Sequence, residues 1–373
     1  MTKVAVLFGG RSAEHEVSLQ SAINVVNSMD RERFSPVLIG IDKRGKWFLN
    51  EQSLHLLNPE NPELIALTDQ QKEIALLANG PSGKLIPLEA QSNADQFPTD
   101  IDVLFPVLHG PYGEDGTIQG LAKLADIPCV GAGVLGSAVG MDKDVMKRLL
   151  RDAGIPISPF VTVYRHTKSQ WTYAKACGQL AMDAATAPDL YVKPANMGSS
   201  VGISRVRSEE EFAAAVEYAL EYDIKIIVEV GLKGRELECA VLGNDFPQAS
   251  GIGEVVPADG FYSYKAKYVD ADGAALIIPA ELTPAEETLL KETAVRTFQA
   301  LCCRGLGRVD MFLTPEGSAY VNEINTLPGF TNISMYPKLW EHSGLGQKEL
   351  VTKLIELALE DFEAGKNLKV DAT

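Results

Sequence analysis

Short apolar runs alternate with segments of helical period along the first third of the chain. Residues 4–8 are continuously apolar and end at Gly9-Gly10, which reads as a strand entering a turn. Val17, Ala22, Ile23, Val26 and Met29 then recur at the spacing of one helix face. Residues 36–41 and 101–108 are further strands, the second followed by a helix around Ile118, Leu121, Ala122 and Ala125. Strands separated by helices predict a parallel sheet covered on both faces. Residues 50–98 carry weak periodicity and many turn residues, and read as an insertion.

The pattern changes near residue 132. Val145, Met146, Leu149, Leu150 and Ala153 form one helix face with Gly154 as its stop. Ser208 and Glu211 have the spacing of a capping box for a helix through Phe212, Val216 and Leu220. Residues 190–206 read as strand, small-residue loop, strand, and residues 224–230 as another strand. A third segment opens near residue 232 with a strand at 235–242, then a loop at 257–274 rich in Tyr, Lys, Gly and Asp. Thr283-Pro284 starts a helix running to about Cys302, and residues 307–313 and 318–324 flank a turn as a hairpin. A helix over 350–360 closes the chain.

Composition narrows the function classes. The 373 residues are 46% apolar and 23% charged, an ordinary globular mix. Lys and Arg total 34 against 50 Asp and Glu, a formal charge of −16. That field repels a phosphate backbone, so no nucleic-acid partner is expected. The five cysteines are odd in number and lack metal-ligand spacing, which argues for a reducing compartment, against structural zinc, and for small apolar core roles. No membrane span or leader is evident, so a cytoplasmic location is expected.

The hairpin carries the sharpest chemical signal. With a loop of residues 314–317, Leu313 faces Ser318, Asp310 faces Val321 and Arg308 faces Glu323. Arg308, Asp310, Glu323 and Asn325 then project from one side. Two carboxylates and an amide oxygen suit Mg²⁺, with Mn²⁺ as a substitute. A solvated polar face with an incidental ion pair is the competing reading, weakened by Val309, Phe312, Val321 and Ile324, which mark a buried strand pair. An odd loop or a bulge would flip half of these side chains. The loop Gly198-Ser199-Ser200-Val201-Gly202 is either a flap over phosphates, with Lys193 reaching the same ligand, or a plain hairpin turn. Gly9-Gly10 is half a dinucleotide fingerprint, and NAD is weakly supported. Glu14 and Glu16 either suit the helix dipole or face a ligand cation. His109, taken alone, is more often structural than catalytic.

Together these stretches closely resemble the D-alanine–D-alanine ligases of the ATP-grasp superfamily. The likeness rests on residues 9–18, 109–116, Met141-Asp142-Lys143, Val192-Lys193-Pro194, 198–202, 261–268, 307–310 and 322–329. It spans nearly the whole chain apart from about 50–98. The resemblance implies an α/β and α+β fold of three domains. These are an N-terminal Rossmann-like parallel sheet (1–131) and two ATP-grasp subdomains (132–231 and 232–373) clamping ATP, with an active-site loop at 257–274. Lys143, Lys193 and Lys267 would contact phosphates, as would Ser200 in the flap. Glu229 and the backbone near Leu232 would meet the adenine, and Glu236 the ribose. Asp310, Glu323 and Asn325 would hold two Mg²⁺ ions. Glu14 would bind the ammonium of the first D-alanine, with Ser199 linking it to Tyr268. Arg308 and the Gly329 N–H would stabilise the oxyanion. Ser334 would hold the second carboxylate, with His109 and Met335 also lining the substrate site. One departure is Met197, where a polar residue is expected before Gly198-Ser199-Ser200. The implied activity is ATP-dependent D-alanyl-D-alanine formation through an acyl phosphate, by a homodimer, for peptidoglycan precursors. A D-alanine–D-lactate ligase or another ATP-grasp ligase is the alternative. From other classes, a nucleotide-sensing module and a Rossmann oxidoreductase remain open.

Overall fold

The computed structural model describes residues 1–50, 56–57, 66–67, 72–78, 83–88, 100–257, 274–366 and 368–369. In the first sheet, strand Thr2–Gly9 lies between Phe34–Ile41 and Val103–Val107 and runs parallel to both. Its side chains alternate. Val4, Val6 and Phe8 pack with Leu19, Ala22 and Val25 of helix His15–Ser28. Ala5 and Leu7 pack with Ile118 and Ala122 of helix Thr117–Leu124. The sheet is therefore covered on both faces, as the periodicity predicts.

It is not wholly parallel. Strands Trp47–Asn50, Lys72–Leu77, Gly83–Pro87 and Asp100–Ile101 extend it in that order, each antiparallel to the last. Part of the stretch read as an insertion thus belongs to the sheet. Hairpin-linked strands need no crossover helix, so no 3.6-residue pattern announces them, and their short, half-exposed sequences alternate weakly.

A four-stranded antiparallel sheet follows, ordered Phe160–Tyr164, Lys225–Val230, Leu190–Pro194, Ser204–Val206. Helix Glu209–Tyr222 covers it with Phe212, Val216 and Leu220. Ser208 caps that helix, accepting the Glu211 N–H at 3.2 Å. The third sheet is antiparallel and ordered Ala274–Ile277, Gln248–Pro257, Arg235–Gly243, Gly305–Leu313, Ala319–Asn325. Helix Pro284–Ala300 packs on it through Leu290, Ala294 and Phe298, and its start is a reciprocal Thr283–Glu286 capping box.

Helix Lys143–Asp152 differs from its expected face. Met146 and Leu150 enter the core of the five-stranded sheet, but Leu149 is exposed and Lys143 and Lys147 are buried. The buried stripe combines 143, 147 and 150 because this helix also borders a cavity that takes the two ammonium groups. Cys302 is exposed, against its expected core role. It follows the last turn of helix Pro284–Ala300 with φ 55°, which turns it outward while Cys303 enters the core. No described helix is long and apolar enough to cross a membrane.

Candidate active site

A cavity of about 260 Å³ lies between the second and third sheets. One wall is the hairpin Gly305–Leu313 and Ala319–Asn325. Its register corrects the sequence expectation twice. Leu313 pairs with Ala319, so the connection is residues 314–318, one longer than expected. That slip would turn Glu323 away from Asp310. A bulge at Asn322 then shifts the register by one residue more, so that Asp310 pairs with Glu323 and Arg308 with Asn325. The two one-residue shifts add to two, which restores the alternation, so the shared face of Arg308, Asp310, Glu323 and Asn325 survives with different partners. The core face of the pair is Val309, Met311, Val321 and Ile324. Phe312 instead lines the cavity, because it lies two residues from Asp310 on the same strand face.

Asp310 also pairs with Glu238 of strand Arg235–Gly243, which puts Glu238, Asp310 and Glu323 in one cross-strand row. Like charges opposite one another repel, and cations answer them. Arg308 donates to both Asp310 oxygens at 2.7 Å, and its Nε lies 2.8 Å from Glu238. Asn325 Nδ2 donates to Asp310 at 2.9 Å, which leaves its oxygen for another partner. Lys143 Nζ stands 3.1 Å from Glu323 Oε2. The row of hard oxygens fits a divalent cation in donor type.

The facing wall is basic. Lys143 Nζ donates to the Met197 carbonyl at 2.7 Å. The flap uses main chain there, so an apolar side chain at 197 leaves that contact unaltered. Lys193, at the end of strand Leu190–Pro194, pairs closely with Glu229 and reaches Asn322 Oδ1 at 3.3 Å. Lys147 lies 2.9 Å from the other Glu229 oxygen. Burial acts to raise the Glu229 carboxyl, but Lys147 and Lys193 outweigh it and hold it at about 2. Burial pulls the Lys147 ammonium down, whereas for Lys193 the neighbouring Glu229 outweighs burial and pushes it up. Ser199, Ser200, Leu232 and Glu236 also line the cavity. Ser199 and Ser200 both have positive φ, 53° and 59°, a strained turn for residues other than glycine.

The N-terminal sheet contributes from behind the flap. Ser199 Oγ donates to Glu14 Oε1, so Glu14 faces the phosphate-type loop rather than capping its own helix. His109 is buried between the Leu327 carbonyl (Nδ1, 2.9 Å) and Ser21 Oγ (Nε2, 3.2 Å), and burial lowers its pKa. Glu114 accepts the Gly110 and Leu327 N–H groups at 2.9 and 3.1 Å. These bonds anchor the loop that carries Gly329. A Cβ at Gly329 would meet Ser334 Oγ at 2.8 Å, and Ser334 Oγ accepts the Thr331 N–H at 2.9 Å. Met335 is 3% exposed and packs in the core, so its side chain does not reach the cavity. Lys267 and Tyr268, with residues 258–273 of the expected active-site loop, lie outside the described residues.

Sequence reasoning missed Lys147, Glu238 and Glu114. Lys147 had a signal, since it lies one turn from Lys143 on the same helix. Glu238 follows Glu236 by two on one strand face, a signal masked by the apolar residues around it. Glu114 had none beyond its place in the stretch 109–116, because only the fold aims it at Leu327.

Residues 3–132 match the family model described as D-ala D-ala ligase N-terminus, and residues 149–356 the one described as D-ala D-ala ligase C-terminus. The chain is 52% identical over 367 residues to D-alanine--D-alanine ligase A of Escherichia coli (strain K12), covering 98% of each. It superposes on the D-alanine-D-alanine ligase from Coxiella burnetii with a TM-score of 0.79 at 36% identity, covering 98% of this chain and 97% of that one. The VanG D-Ala:D-Ser ligase from Enterococcus faecalis gives 0.79 at 35%, covering 96% and 99%. Two family models in register along one chain, and relatives matched nearly end to end, agree with the paired basic and acidic walls: this chain belongs to the D-alanine–D-alanine ligase family, whose fold is ATP-grasp.

Proposed function

We propose that the chain joins two D-alanines into D-alanyl-D-alanine with ATP, through an acyl phosphate, to supply peptidoglycan precursors in the cytoplasm. The observation that carries the reading is the Ser199–Glu14 contact across 185 positions of sequence. It brings a carboxylate suited to an amino acid's ammonium beside the flap of a cavity walled by lysines on one side and carboxylates on the other.

A carboxylate is a poor electrophile. Its oxygen attacks the terminal phosphorus of ATP, ADP leaves, and the acyl phosphate formed is open to an amine. Phosphoryl transfer needs positioned cations more than a nucleophilic side chain. Lys143 and Lys193 supply charge to the phosphates, with Ser200 and the flap backbone above them. Glu229 and Leu232 meet the adenine and Glu236 the ribose. Asp310, Glu323 and Asn325 would hold Mg²⁺, which supplies neutralising charge to the phosphates. Glu14 orients the first D-alanine by its ammonium. The second amine attacks the carbonyl carbon and phosphate leaves. Arg308 and the Gly329 N–H steady the charge on the tetrahedral oxygen, and Ser334 holds the second carboxylate. His109 positions that loop through Leu327. The domain division at 131/132 and 231/232, and a homodimer, belong to the same proposal.

The test is ADP release on adding D-alanine and Mg²⁺, followed by product analysis with D-alanine and D-lactate present together. D-Alanyl-D-alanine as the main product is expected. A dominant ester product would reassign the acceptor, and no D-alanine-dependent ADP would end the reading.

A further inference from the structure

Within the cavity read above as the ATP site, we propose that Lys147 is a positioning residue: it is the standing counter-ion of Glu229, which frees Lys193 to leave that carboxylate for the nucleotide. The inference rests on that reading and goes beyond it in naming a residue that touches neither phosphate nor base. Glu229 is 4% exposed and sits between two ammonium groups, one on each oxygen. The two lysines are held differently. Lys147 is 1% exposed, on a helix whose Met146 and Leu150 lie in the core. Its Nζ is 5.9 Å from the Phe160 ring centroid, and Phe160 is the strand partner of Glu229. Lys193 stands where its strand gives way to the flap, and its ammonium already bridges to Asn322 on the opposite wall.

One carboxylate between two lysines leaves one positive charge over. A phosphate entering the cavity draws Lys193, and the remaining Lys147–Glu229 pair is neutral. Without Lys147, the same movement would strand a buried carboxylate, which is strongly unfavourable. Two lysines on one carboxylate therefore let one of them exchange partners.

The test is a double-mutant cycle read by equilibrium binding of Mg²⁺-ATP without D-alanine, and by KM for ATP against kcat. Lys147→Met is expected to weaken ATP binding about tenfold, which corresponds to about 1.4 kcal/mol, and to raise KM more than it lowers kcat. In a Glu229→Gln background the same change should cause no further loss of ATP affinity, because no carboxylate is left to be stranded when Lys193 moves. Lys147→Gln, similar in length without the charge, is measured alongside and should repeat the pattern if the Met variant folds poorly. Equal losses from Lys147→Met in both backgrounds, or a fall in kcat with KM unaltered, overturn the proposal. Unchanged ATP affinity in Glu229→Gln alone would instead overturn the placement of the nucleotide.

Discussion

The two walls of the cavity are built alike and charged oppositely. Each puts its site residues at one face of a helix or strand whose other face is core. The wall of helix Lys143–Asp152 and strand Leu190–Pro194 presents Lys143, Lys147 and Lys193. The wall of the five-stranded sheet presents Glu236, Glu238, Asp310 and Glu323. Each also holds one residue of the opposite sign: Glu229 among the lysines, Arg308 among the carboxylates. Across the cavity they meet at Lys143–Glu323. Buried like charges are tolerated only when answered. The embedded residue answers them within a wall, and the opposite wall or a ligand answers the remainder.

The largest expected effect comes from breaking the acidic wall where the two walls meet. Glu323→Gln should keep the fold, read by circular dichroism, and lower kcat by roughly 100- to 1000-fold, the scale of losing one charge-stabilising group. A Mg²⁺ titration should shift to higher concentration. Near-normal turnover with unaltered Mg²⁺ dependence would leave the basic wall as the only one at work.

Next is the cation embedded in the acidic wall. Arg308 spans Asp310 with two nitrogens while touching Glu238, a fork that lysine lacks. Arg308→Lys should lower kcat/KM for D-alanine by roughly tenfold or more, since hydrogen bonds to charged groups contribute about 1.5–3 kcal/mol. ATP binding should change little. If ATP affinity falls as far as kcat/KM does, Arg308 serves the wall and not the reacting carbonyl.

The smallest effect concerns the anion embedded in the basic wall. The Glu229 carboxyl is held at about 2, below its ordinary value of 4.5. A depressed carboxyl contributes stability that is full above the unfolded value and is lost as pH falls through the folded one. Denaturant unfolding of the wild type should therefore weaken between about pH 4.5 and 2, and Glu229→Gln should weaken less over that window. Parallel acid slopes would mean that the lysines do not hold Glu229 ionised.

The hairpin and helix Lys143–Asp152 show where legibility stops. Strand alternation alone put Arg308, Asp310, Glu323 and Asn325 on one face, and they are there. Their partners were misplaced because loop length and bulge position leave no period-two signature. On the helix, period 3.6 located the core residues Met146 and Leu150. It also assigned Leu149 to the core and left out Lys147, because an apolar side chain normally marks the buried face. The rule fails where a helix borders a polar cavity. Strands Lys72–Leu77 and Gly83–Pro87 were missed for a third reason: held by ladder hydrogen bonds to a strand on each side and only partly buried, they need few apolar residues.

What the sequence determined alone is local and periodic: the alternation of strands and helices, the caps at Ser208 and Thr283, the face of Asp310, and motifs whose order marks the family. Only the tertiary structure decided which of these meet. Glu14 joins Ser199, His109 and Glu114 hold Leu327, and Lys147 faces Glu229. Each of these pairs lies tens to hundreds of residues apart, and burial leaves each polar group only the partner that the packing brings to it. Local pattern carries no information about that partner, because the packing of three sheets against one another sets it.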